Sequence, residues 1–150
     1  MVMLIQLLTA GVLGLLAGAL LLEGALLVPY WRTLSAQAFY DLHPVYGPKL
    51  FRFFAPLTVA GPALATVAAV AAQVGGRPGR GYSAAAAVLA WGLVVIYLVH
   101  FKGANESLSK REVTPQALPG VLARWAAWHR PRAVVGLLAF AMALCAIAAG

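Results

Sequence analysis

Few residues of this chain can do chemistry, and Glu23 is the first that needs an explanation. It lies inside a long apolar run, seven residues before Tyr30, where that run reaches its polar end. In a helix this spacing puts the carboxyl ~10 Å inside the apolar segment. A carboxylate at that depth must be protonated, paired or hydrated, and such groups are functional candidates by default. The alternative is structural, with Glu23 reaching the interface or pairing with an arginine.

A second group of polar side chains opens the last apolar run. Trp125, His129 and Arg132 follow one another at i, i+4 and i+7, so they share one face of a helix. This pattern predicts His129 as a proton-transfer group, Arg132 as a partner for an anion, and Trp125 as a stacking wall beside which Trp128 lies. The alternative is a girdle of aromatic and basic side chains that seats the helix among lipid headgroups.

The other polar candidates lie near the same ends of the apolar runs, on the side of the longer connections. Glu23 and Tyr30 repeat the i, i+7 spacing, which predicts that both point into the protein, with Trp31 beside them as a further aromatic wall. The remaining members of this group are His43, His100, Asn105 and Glu106. Together they predict one polar pocket rather than scattered sites.

A metal centre is a weaker expectation. Glu23, His43 and His129 supply donors that copper or iron accepts, but no HxxxH or ExxH spacing places them together. Both a metal ion and the absence of any cofactor stay open. The chain has no GxSxG, Walker A, dinucleotide-binding or HExxH motif, which excludes the usual hydrolases, kinases and nicotinamide enzymes.

The composition is that of an integral membrane protein. Of 150 residues, 63% are hydrophobic and 10% are charged, and the mean hydropathy is +0.87. A soluble domain cannot bury so much apolar surface. We predict an all-α, four-helix transmembrane bundle formed by one domain, residues 1–150, with the last helix starting near Pro119. The expected spans are about 3–30, 51–74, 84–101 and 121–149.

The N-terminal run and the single cysteine fit this prediction. Ala17-Gly18-Ala19 looks like a signal-peptidase site, but no basic residue precedes the apolar run, so we expect a retained span. Cys145 lies inside the last run and has no second cysteine to pair with.

Basic residues predict the orientation. The segment 73–81 is a short Gly/Pro turn with two arginines, whereas the connections at 32–50 and 102–118 are longer and charged. The side with the longer connections carries Arg32, Lys49, Arg52, Lys102, Lys110, Arg111, Arg124, Arg130 and Arg132. The positive-inside rule places that side in the cytoplasm, both termini outside, and the protein in the cytoplasmic (inner) membrane. The net charge of +7 therefore indicates lipid headgroups as partners, not nucleic acid.

Several separated motifs resemble a known family. They are Val28-Pro29-Tyr30-Trp31-Arg32-x-Leu34, Phe39-Tyr40, Phe53-Phe54-x-Pro56-Leu57, Asn105 and Trp125-x3-His129-x2-Arg132. This pattern, which spans nearly the whole chain, resembles the anthrone-oxygenase-like family of small four-span membrane proteins. The resemblance implies oxidation of polycyclic anthrones to quinones by molecular oxygen, with Asn105, Trp125, His129 and Arg132 at the site.

The sequence thus favours a membrane oxidoreductase or oxygenase that acts on a hydrophobic aromatic or quinone-like molecule. His129 or Glu23 is the expected base, Arg132 and Asn105 stabilise an oxyanion, and the aromatic side chains bind the substrate. The alternative is a non-catalytic accessory subunit whose charged loops bind a partner. A homo-oligomer stays open, and a small transporter of four spans would require one.

Overall fold

The computed structural model describes residues 1–150 and contains helices but no strand, which confirms the all-α prediction. Four helical spans are long and apolar enough to cross a membrane. Span 1 (Val2–Thr33) and span 3 (Arg80–Ser109) each contain a π-helical turn, whereas spans 2 and 4 are single α-helices. The elements are α1 (Val2–Leu22), a first π-helical turn (Glu23–Leu27), α2 (Val28–Thr33), α3 (Ala36–Val74, span 2), α4 (Arg80–Ile96), a second π-helical turn (Tyr97–Phe101), α5 (Lys102–Ser109) and α6 (Leu118–Ala148, span 4).

The helices extend beyond the predicted spans, most of all in span 2. Helix α3 begins at Ala36, about fifteen residues before the expected start of the span, so only Leu34 and Ser35 connect it to span 1. Ser35 is its N-cap, because its hydroxyl accepts a hydrogen bond from the Ala38 N–H at 3.2 Å. Helix α6 begins at Leu118, close to the predicted start, and runs through Pro131.

The four spans form a ring in chain order. Each packs against the span before it and the span after it, and span 4 closes the ring on span 1. The connections between spans 1 and 2 and between spans 2 and 3 are short, so neighbouring spans run antiparallel. Large apolar side chains cover the outside of the ring, among them Leu4, Leu15, Val59, Val70 and Val88. Such a surface is consistent with an integral membrane protein.

The half of the bundle near the Gly/Pro turn is packed through small residues. Its buried cluster contains Ala65, Ala86, Ala90, Ala139 and Ala143, which bring the helix backbones close together. The approach is closest at the start of span 3, where a Cβ on Gly79 would lie 2.5 Å from the Ala146 carbonyl oxygen. We call this the alanine half.

The opposite half, which we call the loop half, is packed through large residues. Phe39, Phe101 and Trp125 are buried there, with Trp31 against them. A cavity of ≈ 470 Å³ lies in this half, and Trp31, Phe39 and Trp125 are among the residues that line it.

Residues 110–117, which we call the long connection, are tied to the start of α3. The Tyr40 hydroxyl donates to the Val113 carbonyl oxygen at 2.6 Å, and the Arg111 guanidinium donates to the Tyr40 carbonyl oxygen at 2.7 Å. Lys110 donates to Glu106 at 2.7 Å on the exposed surface, which raises the pKa of Lys110 above its usual value. The connection therefore has a defined position above the loop half.

Candidate functional site

The first π-helical turn determines which side chains accompany Glu23 into the protein. A π-helical turn holds one residue more than an α-helical turn, so every later side chain is rotated by about 100°. Glu23 is 5% exposed and lines the cavity, and the rotation brings Trp31 to the same wall. Tyr30 instead points outward and is 52% exposed. The prediction that Tyr30 shares the inner face with Glu23 is therefore wrong.

His129 lies behind the cavity wall and is 2% exposed. Its Nε2 lies 2.8 Å from the Leu20 carbonyl oxygen, and because a carbonyl only accepts, Nε2 must carry a proton. Its Nδ1 then faces the Glu23 carboxyl, 3.6 Å from Oε2, and neither of these buried atoms has a hydrogen-bond partner. The pair is electrically neutral when a protonated carboxyl faces the Nδ1 lone pair or when a carboxylate faces an imidazolium. It carries one negative charge when a carboxylate faces the neutral imidazole.

Gly24 makes room for the imidazole. A Cβ at this position would lie 3.0 Å from both Cδ2 and Nε2 of His129, closer than an ordinary contact. A glycine on span 1 therefore lets His129 on span 4 reach the Leu20 carbonyl.

Trp125 holds the other side of this arrangement. Its ring stacks on the His129 imidazole, with 5.2 Å between ring centroids and 9° between planes. Its indole N–H donates to the Asn105 side-chain oxygen at 2.9 Å. Phe101 and Trp31 meet the indole edge to face, with centroids 4.9 Å and 5.7 Å away. The orientation of the imidazole is thus set by a chain of contacts that begins at Asn105.

Arg132 is 5% exposed, although the sequence places it among the basic residues of the loop side. Its guanidinium carbon lies 4.8 Å from the centre of the Phe101 ring and 5.7 Å from that of Phe54. Its Nε is buried without a hydrogen-bond partner, and no ion pair joins it to Glu23 within 4.0 Å. The side chain lines the cavity.

The predicted site residues thus divide into three groups. Seven of them line the cavity, namely Glu23, Trp31, His43, Asn105, Glu106, Trp125 and Arg132. His129 contacts Glu23 and Trp125 from behind that wall. Trp128 does not line the cavity. Its side chain is 40% exposed and stacks on His100 on the outside of the bundle, with 4.9 Å between ring centroids. This position fits the lipid-headgroup girdle rather than a substrate wall.

The predicted metal set is not assembled. No group of three His, Cys, Asp or Glu side chains has a geometry that could hold a metal ion. Glu23 and His129 meet, but His43 packs on Phe39, with 5.2 Å between ring centroids, on the span 2 side of the cavity. These residues therefore do not fit a copper or iron centre.

Comparison with known proteins identifies no family for this chain. No protein-family model, no curated protein and no solved structure matches the chain. The resemblance to anthrone oxygenases thus stays a prediction from the motifs.

The structure adds residues to the site that the sequence did not single out. They are Gly24, the Leu20 carbonyl, Phe54 and Phe101. Phe54 lies within a quoted motif, but apolar residues and backbone atoms inside an apolar run give no separate signal.

Proposed function

We propose that the protein is an integral membrane oxidoreductase that binds a flat hydrophobic aromatic molecule, such as a hydroquinone, in the cavity of the loop half. The Glu23–His129 pair would take up the proton that the substrate releases. The observation that carries the proposal is the 3.6 Å approach of two buried, otherwise unpartnered polar atoms beside the cavity. Such a pair is a typical general acid–base device.

The cavity supports a substrate of this kind. Its volume of ≈ 470 Å³ is in the range of small-molecule sites. Aromatic side chains from spans 1, 2 and 4 line it, including Trp31, Phe39, Phe51 and Trp125. Flat apolar rings stack favourably on such walls, while a few polar groups fix their orientation.

The proposed reaction uses molecular oxygen as the oxidant. A hydroquinone loses two electrons and two protons and becomes a quinone, and oxygen gains both electrons and both protons and becomes hydrogen peroxide. The Glu23–His129 pair accepts one proton as the substrate ionises and returns it to the reduced oxygen. Arg132 and the Asn105 amide stabilise the substrate oxyanion in between.

The site is proposed to lie at the membrane surface. The exposed charged side chains start at the depth of the site, because the exposed Arg130 follows the buried His129 and the exposed Lys102 follows the buried Phe101. Helix α1 has 21 residues before Glu23, so it extends ~32 Å, close to the ~30 Å hydrocarbon thickness. Glu23 would then sit near the interface rather than ~10 Å inside it.

Exposed charge also supports the proposed orientation. Once the buried Arg132 is set aside, the loop side still carries eight exposed basic residues against two at the Gly/Pro turn. By the positive-inside rule, this excess supports the proposal that the loop side faces the cytoplasm and that the protein lies in the inner membrane.

Oxygen consumption by the purified protein in lipid nanodiscs tests the proposal. A panel of hydroquinones and anthrones serves as substrates, and His129→Asn should lower kcat by about a hundredfold or more. His100→Asn is the matched control, because His100 lies outside the cavity, and it should leave kcat unchanged.

Absence of oxygen-dependent turnover across the panel would contradict the proposal, as would equal effects of the two substitutions. A partner protein that co-purifies and is lost when loop charges are reversed would instead favour an accessory subunit.

A further inference from the structure

Arg132 is a buried cation with no protein partner. The guanidinium carries five N–H donors, yet no hydrogen bond to any protein group satisfies one of them. The rings of Phe54 and Phe101 offer cation–π contacts, but these do not use the in-plane N–H groups. A buried charge without hydrogen bonds is costly, so the site is incomplete as the protein alone presents it.

No carboxylate around the cavity forms a direct ion pair with Arg132. Glu23 lies more than 4.0 Å from the guanidinium and faces His129 instead, with 3.6 Å between Oε2 and Nδ1. Glu106 at the rim is already engaged by Lys110 at 2.7 Å. Arg132 therefore lines the cavity without a direct ion-pair partner, and Lys102 adds a second basic side chain at the rim.

We infer that the ligand of this cavity carries an oxyanion before any reaction begins, and that Arg132 binds it. The ligand class is an aromatic acid, whose flat apolar body lies among the aromatic walls while a carboxylate or ionised phenol faces the guanidinium edge. Arg presents parallel N–H groups that match two carboxylate oxygens. This inference rests on the proposed aromatic substrate and narrows it to anionic members.

Two molecules with the same naphthalene ring distinguish the contribution of the charge to binding from that of the ring. 2-Naphthoate carries the oxyanion, and methyl 2-naphthoate presents the same ring without charge. Binding of each is measured by titration calorimetry on the full-length protein in zwitterionic nanodiscs. 2-Naphthoate should bind wild type about ten- to a hundredfold more tightly than Arg132→Gln, because hydrogen bonds to charged groups are lost. The ester should bind both proteins equally.

Arg130→Gln is the matched control, since Arg130 is exposed on the same helix two residues away. It should leave naphthoate affinity unchanged. Equal affinity of wild type for acid and ester, or equal weakening by Arg130→Gln and Arg132→Gln, would overturn the inference.

Thermal unfolding without ligand distinguishes a binding role from a structural one. Removing a buried charge that forms no direct ion pair or hydrogen bond with the protein should leave the Tm of Arg132→Gln equal to or above that of wild type. A large fall in Tm would mean that Arg132 stabilises the fold, and it would overturn the inference.

The same oxyanion chemistry can come from a lipid phosphate, so the titration is repeated in nanodiscs that contain phosphatidylglycerol. If phosphatidylglycerol leaves the naphthoate affinity unchanged, the result supports an aromatic acid as the ligand. Competition by the lipid that vanishes in Arg132→Gln assigns the oxyanion to a headgroup and overturns the aromatic part. Neither naphthalene probe can be oxidised as a hydroquinone can, so the two proposals fail separately. Naphthoate binding together with no turnover of the hydroquinone panel would contradict only the proposed reaction. Turnover of that panel without a preference for 2-naphthoate over its ester would contradict only this inference.

Discussion

Substitution of Gly24 by alanine tests whether the packing of span 1 against the His129 imidazole matters. The added Cβ would lie 3.0 Å from Nε2, whereas ordinary contact starts at 3.4 Å, so the imidazole must retreat by 0.4 Å or more. Retreat stretches the 2.8 Å hydrogen bond from Nε2 to the Leu20 carbonyl and disturbs the stack on Trp125. Loss of a buried hydrogen bond costs about 1–3 kcal/mol.

A general benefit of alanine acts in the opposite direction. Replacing glycine by alanine inside a helix stabilises it by about 1 kcal/mol. Gly18→Ala measures that benefit alone, because a Cβ at Gly18 would have no atom within 4 Å. Gly18 lies on the same span, so the difference between the two variants isolates the cost at the imidazole.

We expect Gly24→Ala to be less stable than Gly18→Ala by about 1–3 kcal/mol. Equilibrium unfolding of the purified variants in one detergent measures this difference. The reasoning is refuted if Gly24→Ala is as stable as Gly18→Ala, because the imidazole would then not depend on the space that the glycine leaves.

Three further expectations concern the rest of the molecule. Gly79→Ala should lower the Tm clearly, because its Cβ would lie 2.5 Å from the Ala146 carbonyl oxygen and backbone cannot yield as a flexible side chain does. Gly81→Ala is the control and should not lower the Tm, because a Cβ at Gly81 would have no atom within 4 Å. Tyr40→Phe should increase hydrogen exchange in the long connection, because the hydroxyl that holds its backbone at 2.6 Å is lost. Protease-cleavable tags at both termini should be cut by a protease added outside intact spheroplasts. A cleavable tag in the long connection should be cut only after the spheroplasts are lysed.

The four spans were predictable because their signal is repeated over many residues. Each span contains enough consecutive apolar side chains that hydropathy alone marks it, and the structure confirms the four-helix bundle. The shared face of Trp125, His129 and Arg132 was predictable as well, since α6 is regular α-helix through all three. Their catalytic roles stay predictions.

The start of α3 was not predictable from the same signal. Two prolines, Pro44 and Pro48, and two charged residues, Asp41 and Lys49, lie between Ala36 and the apolar run, and such residues are typical of a loop. The helix nonetheless forms because Ser35 caps it and because Phe39 is buried against the other spans. Tertiary packing here outweighs the local preference.

The inward position of Trp31 depends on one extra residue in a helical turn. Glu23 and Tyr30 would share a face in a continuous α-helix, and no residue type in Glu23–Leu27 indicates a π-helical turn. The turn becomes intelligible only with the partner helix in place, because there His129 bonds to the Leu20 carbonyl and fits over Gly24. π-Helical turns often occur at functional sites, which agrees with the position of this one.

The distribution of residue sizes along the bundle explains why the cavity lies in the loop half. Alanines at the interfaces of the other half bring the backbones too close to leave a comparable space between them. Large rings in the loop half cannot interdigitate as closely, so the same four helices separate there and enclose ≈ 470 Å³. The alanine half can therefore stabilise the bundle while the loop half tolerates an unpaired guanidinium and an open space. Substitutions that shrink Phe101 or Trp125 should enlarge this space, whereas larger side chains at the alanines should separate the helices and lower the free energy of unfolding.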